Sequence, residues 1–67
     1  MILHINSEIT PVSDEINTVE KLLAFMNIPA NGIAVGLNNR LIEARNFSIA
    51  ELHDQDRVMI IKAAYGG

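Results

Sequence analysis

The stretch Asn17-Thr18-Val19-Glu20-Lys21-Leu22-Leu23-Ala24-Phe25-Met26-Asn27-Ile28-Pro29 decides how this 67-residue chain folds. Val19, Leu22, Leu23 and Met26 stand at i, i+3, i+4 and i+7, which is one apolar stripe on a helix. Glu20, Lys21 and Asn27 lie off that stripe. Asn17 has the chemistry of an N-cap, and Glu20 three residues on completes a capping-box pattern. Pro29 predicts that the chain has left the helix by Ile28. A single amphipathic helix cannot cover its own stripe, so the flanking segments must supply the surface it packs on.

Those segments read as strands. Upstream, Met1–Asn6 places Leu3 and Ile5 on one face and Ile2 and His4 on the other. A polar break at Ser7-Glu8 leads into a return over Ile9–Val12, which predicts an antiparallel hairpin. Pro11 suits an edge strand, since it lacks the N–H that an interior ladder uses. Downstream, after a turn at Asn31-Gly32, Ile33–Leu37 predicts a third strand with Val35 and Leu37 inward. Asn38-Asn39 tolerates positive φ and suits a tight turn into Arg40–Glu43. Ser48–Leu52 predicts one helical turn with Ser48 as its cap and Glu51 three residues later. Asp54-Gln55-Asp56 reads as a turn, and Arg57–Ala63 as the last strand, with 64–67 trailing from it as a tail.

Hairpin, helix, hairpin, short turn and final strand make an α+β domain spanning 1–67. Its expected form is a mixed sheet of four to five strands with the one main helix across a face, the β-grasp or ubiquitin-like arrangement. By analogy with that fold, the first and last strands lie side by side and parallel at the sheet centre.

Composition narrows the function. A core of this size supplies about 3–5 kcal/mol of net stability. There is no cysteine to add a disulfide, a thiol nucleophile or a Cys-based metal site. The start, Met1–Ser7, lacks the pattern of a signal peptide. The longest strongly apolar run, Val58–Ile61, is far short of the roughly 20 residues a membrane-spanning helix needs. A formal net charge of −3 offers no basic footprint for nucleic acid. Neither nucleic acid nor membrane is therefore an expected partner.

The chemistry concentrates at the end, Ala64-Tyr65-Gly66-Gly67. Gly is about 7% of residues in general, so a Gly pair at a given terminus arises by chance roughly once in 200 chains. Four residues extend to about 13–14 Å at most. With no side chains at its tip, such a tail fits a narrow channel in another protein. The Gly67 carboxylate is a poor electrophile until AMP is transferred to it from ATP. The resulting acyl-adenylate has a good leaving group, which a sulfur nucleophile can displace to leave a thiocarboxylate. The chain has no phosphate-cradling Gly-rich loop, so that activation falls to partners.

Strand alternation gives a docking surface for them. If Val58 and Ile60 face the helix, Met59 and Ile61 face away, with Ala34 and Gly36 as their expected neighbours across the sheet. A sheet face open to water is ordinarily more polar than this. Gly36 could also let a partner backbone approach closely. His4 and His53 have no ligand company and read as surface histidines. Asp54 and Asp56 read as turn residues, and Arg45 pairs with Glu43, with Glu51 or with a partner.

The chain resembles the ThiS family, the sulfur carriers of thiamine biosynthesis, over essentially its full length. The resemblance rests on Asn6 closing the first strand, on Thr18-Val19 and Leu22-Leu23 in the helix, and on Ile33-Ala34-Val35-Gly36-Leu37-Asn38. It continues through Leu41-Ile42, Arg45, Phe47 (often Trp in the family), Asp54-Gln55-Asp56 (usually Asp-Gly-Asp), Val58, Ile60 and Gly66-Gly67. Gln55 in place of Gly means that the turn either avoids positive φ or carries strain. Tyr65 stands where a smaller residue is frequent.

The resemblance implies a cytoplasmic co-substrate, not an enzyme, with no bound cofactor. A ThiF-like enzyme would adenylate Gly67 with ATP, and a cysteine desulfurase would provide the sulfur. Thiazole synthase, ThiG-like, would then take it from the thiocarboxylate. The competing readings are the small subunit of molybdopterin synthase, a ubiquitin-like protein modifier, and a pure interaction domain.

Overall fold

The computed structural model describes residues 1–62. Two strands, β1 (Ile2–Ile5) and β2 (Glu8–Pro11), open the chain, followed by helix α1 (Val19–Phe25). Strands β3 (Ile33–Leu37) and β4 (Arg40–Ile42), a 3₁₀ turn (Ala44–Asn46) and strand β5 (Arg57–Lys62) complete it. The five strands form one sheet in the order β2-β1-β5-β3-β4. β5 lies at its centre, parallel to β1 and antiparallel to β3. This is the β-grasp expected from the element order, and Pro11 does sit in an edge strand.

Both hairpins close through two-residue turns whose central residues have positive φ. The angles are 49° and 70° at Asn6 and Ser7, and 51° and 69° at Asn38 and Asn39. That is type I′ geometry, which matches the twist of the flanking strands and favours Asn. The first turn therefore falls at Asn6-Ser7, one residue before the expected break. Gln55 takes φ 70°, so the turn accepts the strain that a Gly would avoid.

The helix starts one residue later than the capping-box pattern predicts. Thr18 is the N-cap, extended at φ −136° and ψ 160°, and its hydroxyl accepts from Lys21 N at 3.2 Å. Asn17 is unavailable for that role because Leu52 N draws on its carbonyl at 2.9 Å. Its amide oxygen instead accepts from Lys21 Nζ at 3.1 Å. Val19 N and Glu20 N, unpaired within the helix, donate to Ala50 O at 3.0 Å and Phe47 O at 2.9 Å. The loop after β4 is thus what holds the helix start.

The helix also ends early. Asn27 N donates to Ala24 O at 3.1 Å and Ile28 N to Leu23 O at 2.9 Å, with Asn27 at φ 59°. These two bonds are a Schellman closure, ending the helix before Pro29 can act. Met26 becomes the C-cap and is 36% exposed, so only Val19, Leu22 and Leu23 of the predicted stripe are buried. The predicted turn at Ser48–Leu52 is displaced as well. Ile49 N and Ala50 N both bond Asn46 O, at 3.1 and 2.9 Å, and Glu51 instead bridges Thr18.

The core lies between one sheet face and the helix. Leu3, Ile5, Val35, Val58 and Ile60 contribute from the strands, Val19, Leu22 and Leu23 from the helix, and Val12, Phe47 and Leu52 from connections. No buried side-chain polar atom lacks a partner among the described residues.

Candidate functional site

The core consumes one face of the sheet and leaves the other open. Directly paired residues share a face, so the register assigns its members. Ile2 pairs with Pro11 and His4 with Ile9 across β1 and β2. His4 also pairs with Arg57, Met59 with Gly36 and Ile61 with Ala34, and Gly36 with Leu41. None of these positions is acidic, although the chain carries eight Asp and Glu residues.

Met59 and Ile61 are 55% and 54% exposed, and Leu41 73%. Of these, Leu41 escaped the sequence analysis. The turn at Asn38-Asn39 contains the signal for it, because a two-residue loop pairs Leu37 with Arg40 and so sets Leu41 opposite Gly36. Gly36 forms the low point of the row Met59–Gly36–Leu41. Among the described residues, a Cβ built there would meet only Met59 Cβ at 3.8 Å and Arg40 O at 3.9 Å, ordinary contact distances. The chain's own packing therefore does not require glycine at position 36. Beside it, a groove of about 400 Å³ is lined by His4, Asn6, Ser7, Gly36, Asn39, Arg57, Val58 and Met59.

Two asparagines hold the central strand, one at its start and one in its interior. At its start, Asn38 Oδ1 accepts from Arg57 N at 2.9 Å, and Asn38 Nδ2 donates to Asp56 Oδ1 at 3.0 Å. Farther along, Asn6 Oδ1 accepts from Ile60 N at 2.8 Å while Asn6 Nδ2 donates to Ile60 O at 3.3 Å. The Asn6 carboxamide thus imitates one more peptide of β1, continuing the ladder beside β5 after the β1 backbone has turned away. Motif reading does not find this role, since Asn6 and Ile60 are 54 positions apart.

The turn before β5 is tied to the first strand. Asp54 Oδ1 accepts from Ile2 N at 2.6 Å, and Gln55 N donates to Ile2 O at 2.6 Å. Gln55 Oε1 lies 2.9 Å from His4 Nε2, so the side chain that replaces Gly gains a partner. The backbone bond from Ile2 holds the Asp54 carboxyl below the usual carboxylate range, with a smaller contribution from Gln55. Asp56 Oδ2 accepts from His53 N at 2.8 Å. Both aspartates therefore serve the turn, as their spacing suggested.

Arg45 pairs with Glu43 at 2.7 Å. His53 lies 3.6 Å from Glu51 and 3.8 Å from Asp56, exposed. Among the described residues no three His, Cys, Asp or Glu side chains are grouped to hold a metal ion, and no helix is long and apolar enough to cross a membrane. Gly67, Gly66 and Tyr65 lie outside the described residues.

The model of the ThiS family matches residues 2–67. Among solved structures, the chain is similar to the thiamine biosynthesis protein ThiS from Geobacter metallireducens. The two are 26% identical with a TM-score of 0.87, and the alignment covers 100% of each chain. No curated protein matches by sequence.

Proposed function

The chain belongs to the ThiS family, the sulfur carriers of thiamine biosynthesis, and from that premise we propose that its working group is the carboxylate of Gly67. The observation that carries this reading is the family match itself, which runs through Gly66-Gly67 and covers the Geobacter structure from end to end.

In the proposed cycle a Gly67 carboxylate oxygen attacks the α-phosphorus of ATP in the active site of a ThiF-like enzyme, and pyrophosphate leaves. The acyl-adenylate is then attacked at its carbonyl by the terminal sulfur of a protein persulfide charged by a cysteine desulfurase, and AMP leaves. A second thiol cleaves the resulting acyl disulfide, becoming a disulfide itself and freeing the terminus as a thiocarboxylate. Thiazole synthase, ThiG-like, receives the sulfur, and the regenerated carboxylate re-enters the cycle. In this reading the chain is a recharged co-substrate acting in the cytoplasm, and catalysis belongs to its partners. Gly66 and Tyr65 thread the partner's channel.

The open sheet face serves as the docking surface in this proposal, through Met59, Ile61, Ala34 and Gly36. Exposed Met and Ile across from two minimal side chains offer apolar area that a partner can cover without displacing any group of the chain. Met59→Asp should weaken binding to the adenylating enzyme while leaving the fold intact.

The terminal chemistry is tested by intact-mass measurement after incubation with ATP, a sulfide source and the ThiF-like enzyme. Exchange of one oxygen for sulfur at Gly67 is the expected result. Ladders of heavier conjugates would instead identify a protein modifier, and an unchanged mass an interaction domain. A chain lacking Gly67 should fold and fail to react; normal sulfur transfer by that variant would overturn the reading.

A further inference from the structure

The open face differs from the rest of the molecule in charge. The chain has a formal net charge of −3, yet this face presents Arg57 and His4 at its paired strand positions and no Asp or Glu. Arg57 is exposed, and none of the ion pairs among the described residues uses it. It borders the groove that runs over Gly36 against Met59, and among the described residues no carboxylate lines that groove. A side chain at position 36 would fit the chain's own packing, so the gap above Gly36 is space the fold leaves unused.

We infer that this groove seats an acidic side chain of the docked partner, with its carboxylate on the Arg57 guanidinium and its aliphatic stem over Gly36 beside Met59. Charge complementarity selects the occupant. A cation with no ion-pair partner among the described residues, at the edge of apolar surface, is matched by a carboxylate that brings a short hydrocarbon stem. The planar guanidinium favours a two-point bond to that carboxylate, which fixes orientation as well as attraction. The inference rests on the docking reading above and adds the polar contact that would set the register of the docked pair.

The test measures the Kd of the full chain for its ThiF-like adenylating enzyme at low and at high salt. Arg57→Gln, Arg57→Lys and Met59→Asp are compared with the unaltered chain, each after a check of thermal unfolding. A charge-assisted bond at an interface corresponds to about a ten-fold change in Kd. Arg57→Gln should therefore raise Kd about ten-fold at low salt, and by less at high salt, where exposed charges are screened. Arg57→Lys should recover part of the loss, because it keeps the charge without the fork. Met59→Asp should weaken binding at both salt concentrations.

An Arg57→Gln chain that binds like the unaltered one, while Met59→Asp binds poorly, would overturn the inference and leave the docking reading standing. If Met59→Asp also binds normally, the docking reading itself fails. Sedimentation of the isolated chain covers the remaining occupant: Arg57-dependent self-association would show that a second copy fills the groove, and would overturn the inference too.

Discussion

Replacing Asn6 by Ala removes two structural devices at once, and their sizes can be separated. The first is the clamp on β5, in which the carboxamide meets Ile60 N at 2.8 Å and Ile60 O at 3.3 Å. Ile60 is 9% exposed, so its N–H has little access to water once the clamp is gone. Leaving such a group without a partner costs about 1–3 kcal/mol. The second device is the positive φ of 49° at position 6. Asn tolerates that region better than Ala, and the difference is about 1 kcal/mol. Asn6→Ala should therefore lose about 2–4 kcal/mol, most of what a domain of this size possesses. At about 4–8 °C per kcal/mol for so short a chain, the melting point should fall by about 8 °C at the least. Asn6→Gly keeps the turn and removes only the clamp, so it should retain about 1 kcal/mol more than Asn6→Ala. Urea unfolding followed by circular dichroism gives the stabilities, and amide hydrogen exchange at Ile60 reports the clamp directly. Equal, small losses in both variants with unchanged exchange at Ile60 would refute the assignment.

Gly36→Ala should fold at least as stably as the unaltered chain. The new methyl meets only ordinary contacts, and Ala in a strand interior is favoured over Gly by about 0.5–1 kcal/mol. A marked loss in thermal unfolding would mean that Gly36 serves the fold, whereas weaker binding to the adenylating enzyme with intact stability would assign the bare backbone to the partner. Asp54 gives a pH prediction. The bond from Ile2 N holds its folded pKa below that of an ordinary aspartate, so its contribution to stability is complete above the ordinary value and fades as pH falls through the lower folded one. The stability difference between the unaltered chain and Asp54→Asn should accordingly be constant near neutrality and close in acid below about pH 4. Parallel pH–stability curves would dismiss the Ile2–Asp54 bond as a contributor.

Periodicity assigns Met59 and Ile61 to the open face without any long-range information, since a strand alternates whatever its neighbours. Register needs one step more. The two-residue turn at Asn38-Asn39 ties Leu41 to Gly36, but the exposure of Leu41 becomes evident only when β3 is placed beside β5. The start of the helix departs from the expected Asn17 cap for a related reason. What puts the cap at Thr18 is the bond from Leu52 N to Asn17 O, between residues far apart in the chain. Its end falls before Ile28 as expected, but the closure depends on the left-handed φ at Asn27 and not on Pro29. The clamp from Asn6 to Ile60 lies beyond local reading altogether. An Asn in a hairpin turn already has a sufficient local explanation, and nothing in its neighbours announces a second role for the side chain.

The charge distribution bears on how a carrier can meet several enzymes in turn. Each encounter must be specific, yet release must be fast, and apolar area alone lengthens residence as it improves recognition. An electrostatic contact at the rim acts mainly on approach, raising the association rate and selecting orientation. Here Arg57 sits at the edge of the apolar row, and the open-face strand positions are free of acid. Asp14, Glu15 and Glu20 lie outside those positions, and the Asp54 and Asp56 carboxylates at the edge of the face are engaged by Ile2 N and His53 N. A partner presenting a carboxylate therefore meets Arg57, and no acid, at the paired positions of this face. In the docking proposed above, the modest apolar contact of Met59, Ile61 and Leu41 then holds the partner in place. Adding acid at a paired position of this face, as in Ile9→Glu, should slow association with the adenylating enzyme while leaving dissociation nearly unchanged. Stopped-flow rates at low salt would decide it, and an effect confined to dissociation would argue that Arg57 grips the partner rather than guiding it.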